Sequence, residues 1–140
     1  MADKYIGLQY PLVKTVRGIL AQKINIDLIK ADMLQLLLTN PGERVMLPDY
    51  GTPLRRLIFE QNDDILKQQA RQMIINSLEK WEPRIIVNNV VVGSVEKSDL
   101  DRLDTREEMD KILKITINFY DPNDISELNE LRLEVPLGGA

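Results

Sequence analysis

The chain has 140 residues, eighteen basic against twenty-two acidic for a formal net charge of −4, and neither cysteine nor histidine. Those two absences exclude disulfides, thiolate metal sites, cysteine nucleophiles, histidine general bases, serine–histidine–aspartate triads and most catalytic zinc centres. The cations are scattered instead of striped, which argues against nucleic acid, and no apolar run approaches the roughly 18 residues of a membrane span, so a soluble, unprocessed single domain is expected.

Residues Tyr5 to Ile24 mix small apolar clusters with Lys14, Arg17 and Lys23, interrupted by Pro11 and Gly18, and read as an extended or irregular N-terminal arm (1–24). From Asn25 to Thr39 the pattern is helical. Ile26, Ile29, Met33, Leu34 and Leu37 share a face, Asn25 stands as the cap, and Leu28, Leu36 and Leu38 make the helix apolar almost all round, as expected of a core or assembly helix. Asn40-Pro41-Gly42 stops it, because a residue before proline avoids helical geometry and glycine accepts a positive φ. A short extended piece runs through Val45 and Leu47, and Tyr50-Gly51 turns the chain again. Thr52-Pro53 then reads as a helix start with threonine at the cap, facing Leu54, Leu57 and Ile58 inward.

After Asn62, Asp63 and Asp64 comes the most regular pattern. Leu66, Ala70, Met73, Ile74, Ser77, Leu78 and Trp81 fall on one helical face, with Gln68, Gln69, Gln72, Asn76, Glu79 and Lys80 opposite. Pro83 ends this helix, and β-branched residues from Ile85 to Val95 form a strand in which Gly93 marks a bulge or the end of pairing. Ile112 to Tyr120 alternates as an antiparallel strand, with Leu113, Ile115, Ile117 and Phe119 on the buried face. Leu131, Leu133 and Val135 alternate with Glu130, Arg132 and Glu134 in a third strand, and Pro122-Asn123-Asp124 opens the connection to it. The charged stretch Glu96 to Asp110 is longer than a tight hairpin needs. Its Asp99, Asp101 and Asp104 lack the glycine and glutamate of a calcium loop and read as solvated acids, so neither metal nor cofactor is expected.

These elements make the fold class α+β: a helical part (25–82), then a small antiparallel sheet (83–140) packed on the long amphipathic helix. Both edges of so small a sheet offer unpaired backbone groups to an incoming chain, apart from the blunting that Pro136 gives the last strand.

Two segments are not required by core patterning: PGERVMLPDYGTPLRRLIFE from Pro41 to Glu60, and WEPRI from Trp81 to Ile85. Together with GLQYPL (Gly7 to Leu12) and LLLTN (Leu36 to Asn40), their order and spacing resemble the small baseplate wedge family of contractile phage tails and type VI secretion machines, over roughly residues 7 to 95. The resemblance implies a structural protein of a contractile injection machine, located in the virion tail baseplate and assembled in the host cytoplasm. It implies several copies within a sixfold baseplate, with other wedge subunits and tail sheath subunits as partners and no nucleic acid or membrane. It also implies that Trp81, Glu82, Pro83 and Arg84 dock on the helical core bundle of the wedge. The sheet edges, with Ile115, Ile117, Leu131 and Leu133 on the strands concerned, would accept arms of sheath subunits and so initiate the sheath.

The residues themselves leave alternatives open. Proline holds Glu82 and Arg84 extended, so a carboxylate and a guanidinium project together as a preorganised pair, or Arg84 instead braces a corner by binding Glu43, Glu60 or Glu82. Pro41, Gly42, Glu43, Arg44, Tyr50 and Gly51 read first as a structural turn tying the Leu34 helix to the next segment of the chain. A lysozyme-like hydrolase would need two carboxylates with separated pKa values, and nothing in the spacing of Glu43, Asp49, Glu60 and Glu82 selects a pair, so no enzyme is expected. A regulatory binding module of the anti-adaptor type is the third class, disfavoured by the intact PGER and WEPR segments.

Overall fold

A computed structural model describes residues 5–60, 63–94 and 112–136. The acidic stretch with Asp99, Asp101 and Asp104 lies outside the described residues.

The architecture is α+β, as expected. Two short strands, β1 (Ile6–Leu8) and β2 (Gln22–Ile24), pair antiparallel and lead into helix α1 (Asn25–Leu38). A 3-10 helix (Leu54–Phe59) precedes helix α2 (Asp64–Trp81), and the chain closes with β3 (Ile86–Ser94), β4 (Ile112–Asp121) and β5 (Asp124–Pro136), an antiparallel sheet in the order β3-β4-β5. The single core joins Ile29, Met33 and Leu37 of α1 to Leu66, Ile74 and Leu78 of α2 and to Leu113, Ile115, Ile117 and Phe119 of β4. The sheet's apolar face is therefore covered by the helices.

Several expectations require correction. Asn25 does not cap α1: Ile24 holds the cap position without a side-chain bond, while Asn25 takes a positive φ and binds Tyr5 through both its amide and its Oδ1. Thr52 caps nothing either, because its hydroxyl donates to the Leu36 carbonyl and ties the chain to the end of α1, and the helix after it is 3-10 instead of α. The bulge in β3 falls at Asn88, between Val87 and Asn89, whereas Gly93 pairs regularly with Lys114. The connection after β4 is only the tight turn at Pro122-Asn123, and β5 begins at once at Asp124. Asp63, by contrast, does cap α2, its Oδ1 accepting from the Leu66 amide at 2.8 Å.

Gly51 couples loop to helix. At φ +126° it sits where an added Cβ would collide with the Thr39 carbonyl oxygen, and Thr52 donates its amide to that same oxygen. Gly51→Ala therefore adds backbone strain and a clash with an immobile partner, and is expected to cost about 3 kcal/mol. Urea denaturation checks this; an unchanged midpoint would mean that the 41–53 loop is not packed on the helix end.

Candidate functional site

Helix α2 ends because Pro83 cannot continue it, with the Glu82 amide making the last helical bond, to the Leu78 carbonyl at 2.8 Å. Beyond the proline Arg84 turns its guanidinium back. Its Nε donates to Glu82 Oε1 at 2.6 Å and its Nη2 to Glu82 Oε2 at 2.7 Å, the two-pronged geometry that suits arginine to carboxylates. The same Nη2 reaches Asp32 Oδ2 on α1, also at 2.7 Å. Arg84 thus pins the end of the second helix to the middle of the first. Glu82 is 5% exposed and the Arg84 side chain 27%, so the carboxylate faces inward and the guanidinium borders solvent. Bonding to Glu82, with Asp32 behind it, raises the pKa of Arg84 above even its ordinary value, although burial opposes the shift. The Tyr5 ring lies 5.4 Å from the guanidinium carbon and brings the base of the N-terminal hairpin to the same place.

The second motif arrives through aromatic contacts. Tyr50 meets Trp81 edge-on at 5.4 Å between ring centroids, Arg44 stacks over Tyr50 at 4.1 Å, and Lys80 lies over Trp81 at 4.9 Å. Burial pushes the Tyr50 hydroxyl up, with Arg44 pulling down and Asp32 and Glu82 adding to the rise, so all these groups share one electrostatic neighbourhood. Residues 41–51 and 81–84, separated by two helices in the sequence, form one surface.

The 41–51 loop is closed by its own hydrogen bonds. The Gly42 amide donates to the Pro48 carbonyl at 2.7 Å and the Leu47 amide to the Arg44 carbonyl at 3.3 Å. Glu43 accepts from the Asn40 amide and side chain, at 3.0 and 2.9 Å, and lies 3.6 Å from Arg55. Asn40, with a smaller contribution from Arg55, holds the Glu43 carboxyl below the usual range. At the tip of this pinned loop Val45 is 93% and Met46 92% exposed.

The structure therefore unites Trp81, Glu82, Pro83, Arg84, Arg44, Tyr50 and Asp32. Glu43 is near in the chain but serves the loop. Of the partners considered for Arg84, Glu82 is the one used. Asp32 is not among those the sequence suggests; the signal that could have found it is that it is the one acid in the apolar run from Leu28 to Leu38. Nor does the sequence distinguish Val45 and Met46 from an ordinary extended piece. Ile115 and Ile117 lie on the central strand β4, fully buried and paired on both sides, while Leu131 and Leu133 lie on the outer strand β5. Chemically the cluster is a brace. Both Glu82 oxygens are taken by Arg84, and the Glu43 carboxyl is shifted down, away from the raised value a general acid needs. Among the described residues no three acidic side chains gather to hold a metal ion.

The family described as baseplate wedge protein gp25 matches residues 25–120. The chain belongs to this family. Its fold is similar to a component of the anti-feeding prophage baseplate, at 20% identity and TM-score 0.68, covering 87% of this chain and 89% of that one. It is also similar to a Geobacter sulfurreducens protein labelled a tail lysozyme, at 23% identity and TM-score 0.64 over 80% and 90% of the two chains. A component of the pyocin R2 baseplate is 22% identical at TM-score 0.53, covering 96% of this chain and 100% of that one. No curated protein matches the chain. The family is one of structural baseplate proteins, and membership carries that structural role to this chain.

Proposed function

We propose that this baseplate protein works without catalysis: it docks on the wedge through the surface that joins the 41–51 loop to Arg84, and it starts the tail sheath by accepting an extended strand from a sheath subunit. The observation that carries the second half is the sheet itself. Among the described residues β3 and β5 are its outer strands, and they differ in the way that edge protection works. The edge of β5 carries Asp124, Glu127, Glu130, Arg132 and Glu134, charges that discourage pairing with a further chain. Strand β3 is nine residues without a single charge, and Val91 stands half exposed on its outer side. The proposed entry point for a sheath strand is therefore β3, beside the cleft walled by Lys67, Gln68 and Arg71 of α2.

For the docking half, the loop supplies what the ion pair lacks. Arg84 is spent on Glu82 and Asp32, whereas Val45 and Met46 project from a backbone already fixed by its own hydrogen bonds, so little freedom is lost when a partner covers them. The partner surface that would suit such a tip is an apolar groove between helices, and methionine adapts to irregular ones. Met46→Asp should leave thermal stability unchanged within about 2 °C and reduce co-purification with the wedge subunits by about tenfold or more. Unchanged co-purification would move docking away from the loop. A tail hydrolase is the competing reading. It rests on a label borne by one structurally similar protein, while the carboxylates at this site are paired for structure.

A further inference from the structure

Every residue from Pro11 to Leu20 is exposed, ten in succession. They form the outer part of a hairpin closed by backbone bonds from Gln9 to Ala21, Ala21 to Val13 and Thr15 to Ile19 at 3.0, 2.7 and 2.7 Å, with Gly18 turning at φ +75°. Its base is anchored by the β1–β2 pairing, by the Tyr5–Asn25 bonds and by Gly7, which lies so close over Leu28 that a Cβ there would meet its side chain at 2.7 Å. No layer among the described residues covers the outer half. A two-stranded ribbon with nothing packed against it is marginal in water, yet this one displays Leu12, Val13, Val16, Ile19 and Leu20 to solvent. The family match begins at Asn25, so the hairpin precedes the matched region.

Two features state what would cover it. Tyr5 to Ile24 carries Lys14, Arg17 and Lys23 and no acid, in a chain whose formal net charge is −4. Lys14 bridges to Leu20 across the hairpin and Val16 stands in the turn, while Leu12 with Val13 and Ile19 with Leu20 are consecutive residues, so the apolar side chains are spread over both arms and the tip and not gathered on one face. A ribbon lying on a membrane would keep its cations on the face away from its apolar one. Here the exposed apolar residues lie on both arms and at the turn, with Lys14 and Arg17 among them, which fits a cleft that encloses the tip.

We infer that the Gln9–Ala21 hairpin is an assembly arm that inserts into an apolar cleft flanked by carboxylates on a neighbouring protein subunit of the baseplate. The inference rests on the baseplate reading but uses none of the residues of the docking loop or the sheet.

The test co-expresses the full chain with the wedge and sheath subunits of its own machine and compares the parent with Val16→Asp and with Lys14→Glu/Arg17→Glu. Because the tip is covered by nothing among the described residues, Val16→Asp should keep the parental melting temperature within about 2 °C and lower incorporation into assembled baseplates about tenfold or more. The charge-reversed variant should lose incorporation too. A photocrosslinking residue at position 16 in purified particles should mark a neighbouring subunit on a peptide rich in apolar and acidic residues. If the parent assembles and Val16→Asp assembles equally well, or if Val16→Asp lowers stability, the arm is overturned while the baseplate reading stands. A parent that enters no baseplate overturns both. Binding of the parent to vesicles of phosphatidylglycerol and phosphatidylcholine, abolished by Val16→Asp, would assign the hairpin to a membrane surface and overturn the protein cleft.

Discussion

Arg84→Ala is expected to lower stability by about 3 kcal/mol, the lower end of the cost of breaking a buried charge pair. The reason lies in what the substitution leaves behind. Glu82 is almost wholly buried, and both its oxygens are held by Arg84. Without the guanidinium the carboxylate must stay charged and unpaired, take up a proton, or break open the end of α2 to reach water. Asp32, a third exposed, can be hydrated where it stands, so Asp32→Ala should cost only about 0.5–1 kcal/mol. Arg84→Lys should fall between the two: it restores the charge but not the planar fork that meets both Glu82 oxygens. Thermal denaturation beside wedge co-purification separates the readings of this residue. A brace loses stability and assembly together, whereas a pure docking residue would lose assembly at an unchanged melting temperature, and that second outcome would contradict the geometry described here.

How much of the fold is legible in the sequence depends on which forces leave a periodic trace. Helix α2 and strand β4 bury one face each, so their apolar residues recur at 3.6 and 2 positions and mark the elements closely. The first half of β5 leaves no such trace. Asp124, Leu128 and Asn129 pair with β4 across an irregularity at 125–127, while Ile125 and Leu128 remain exposed, and pairing without burial has no hydrophobic signature. The same holds for β1 and β2. Thr52 looks like a helix cap because the residue type suits one, but its hydroxyl is taken by the Leu36 carbonyl sixteen residues earlier, a tertiary contact that no local pattern encodes. The candidate site divides in the same way. The Glu82–Arg84 pairing is local and is legible as one of two alternatives from the proline between them. Asp32, fifty-two residues before Arg84, and the contact of Tyr50 with Trp81 depend on how α1, α2 and the loop are brought together.

Whether the sheet starts sheath assembly by accepting a strand is decided by proline in β3. In an antiparallel edge strand successive amides point alternately toward the neighbour and outward, so of Val91→Pro and Val92→Pro one removes an outward donor and the other breaks the β3–β4 ladder. The outward variant should fold, shown by a cooperative thermal transition, and the matching alanine variant should behave as the parent, because main-chain bonding carries strand addition. The decisive measurement is sheath polymerisation on purified baseplates carrying the outward-facing proline, followed by electron microscopy. The prediction is folded protein on baseplates that nucleate no sheath; sheath of normal length and frequency on those baseplates would contradict strand addition at β3.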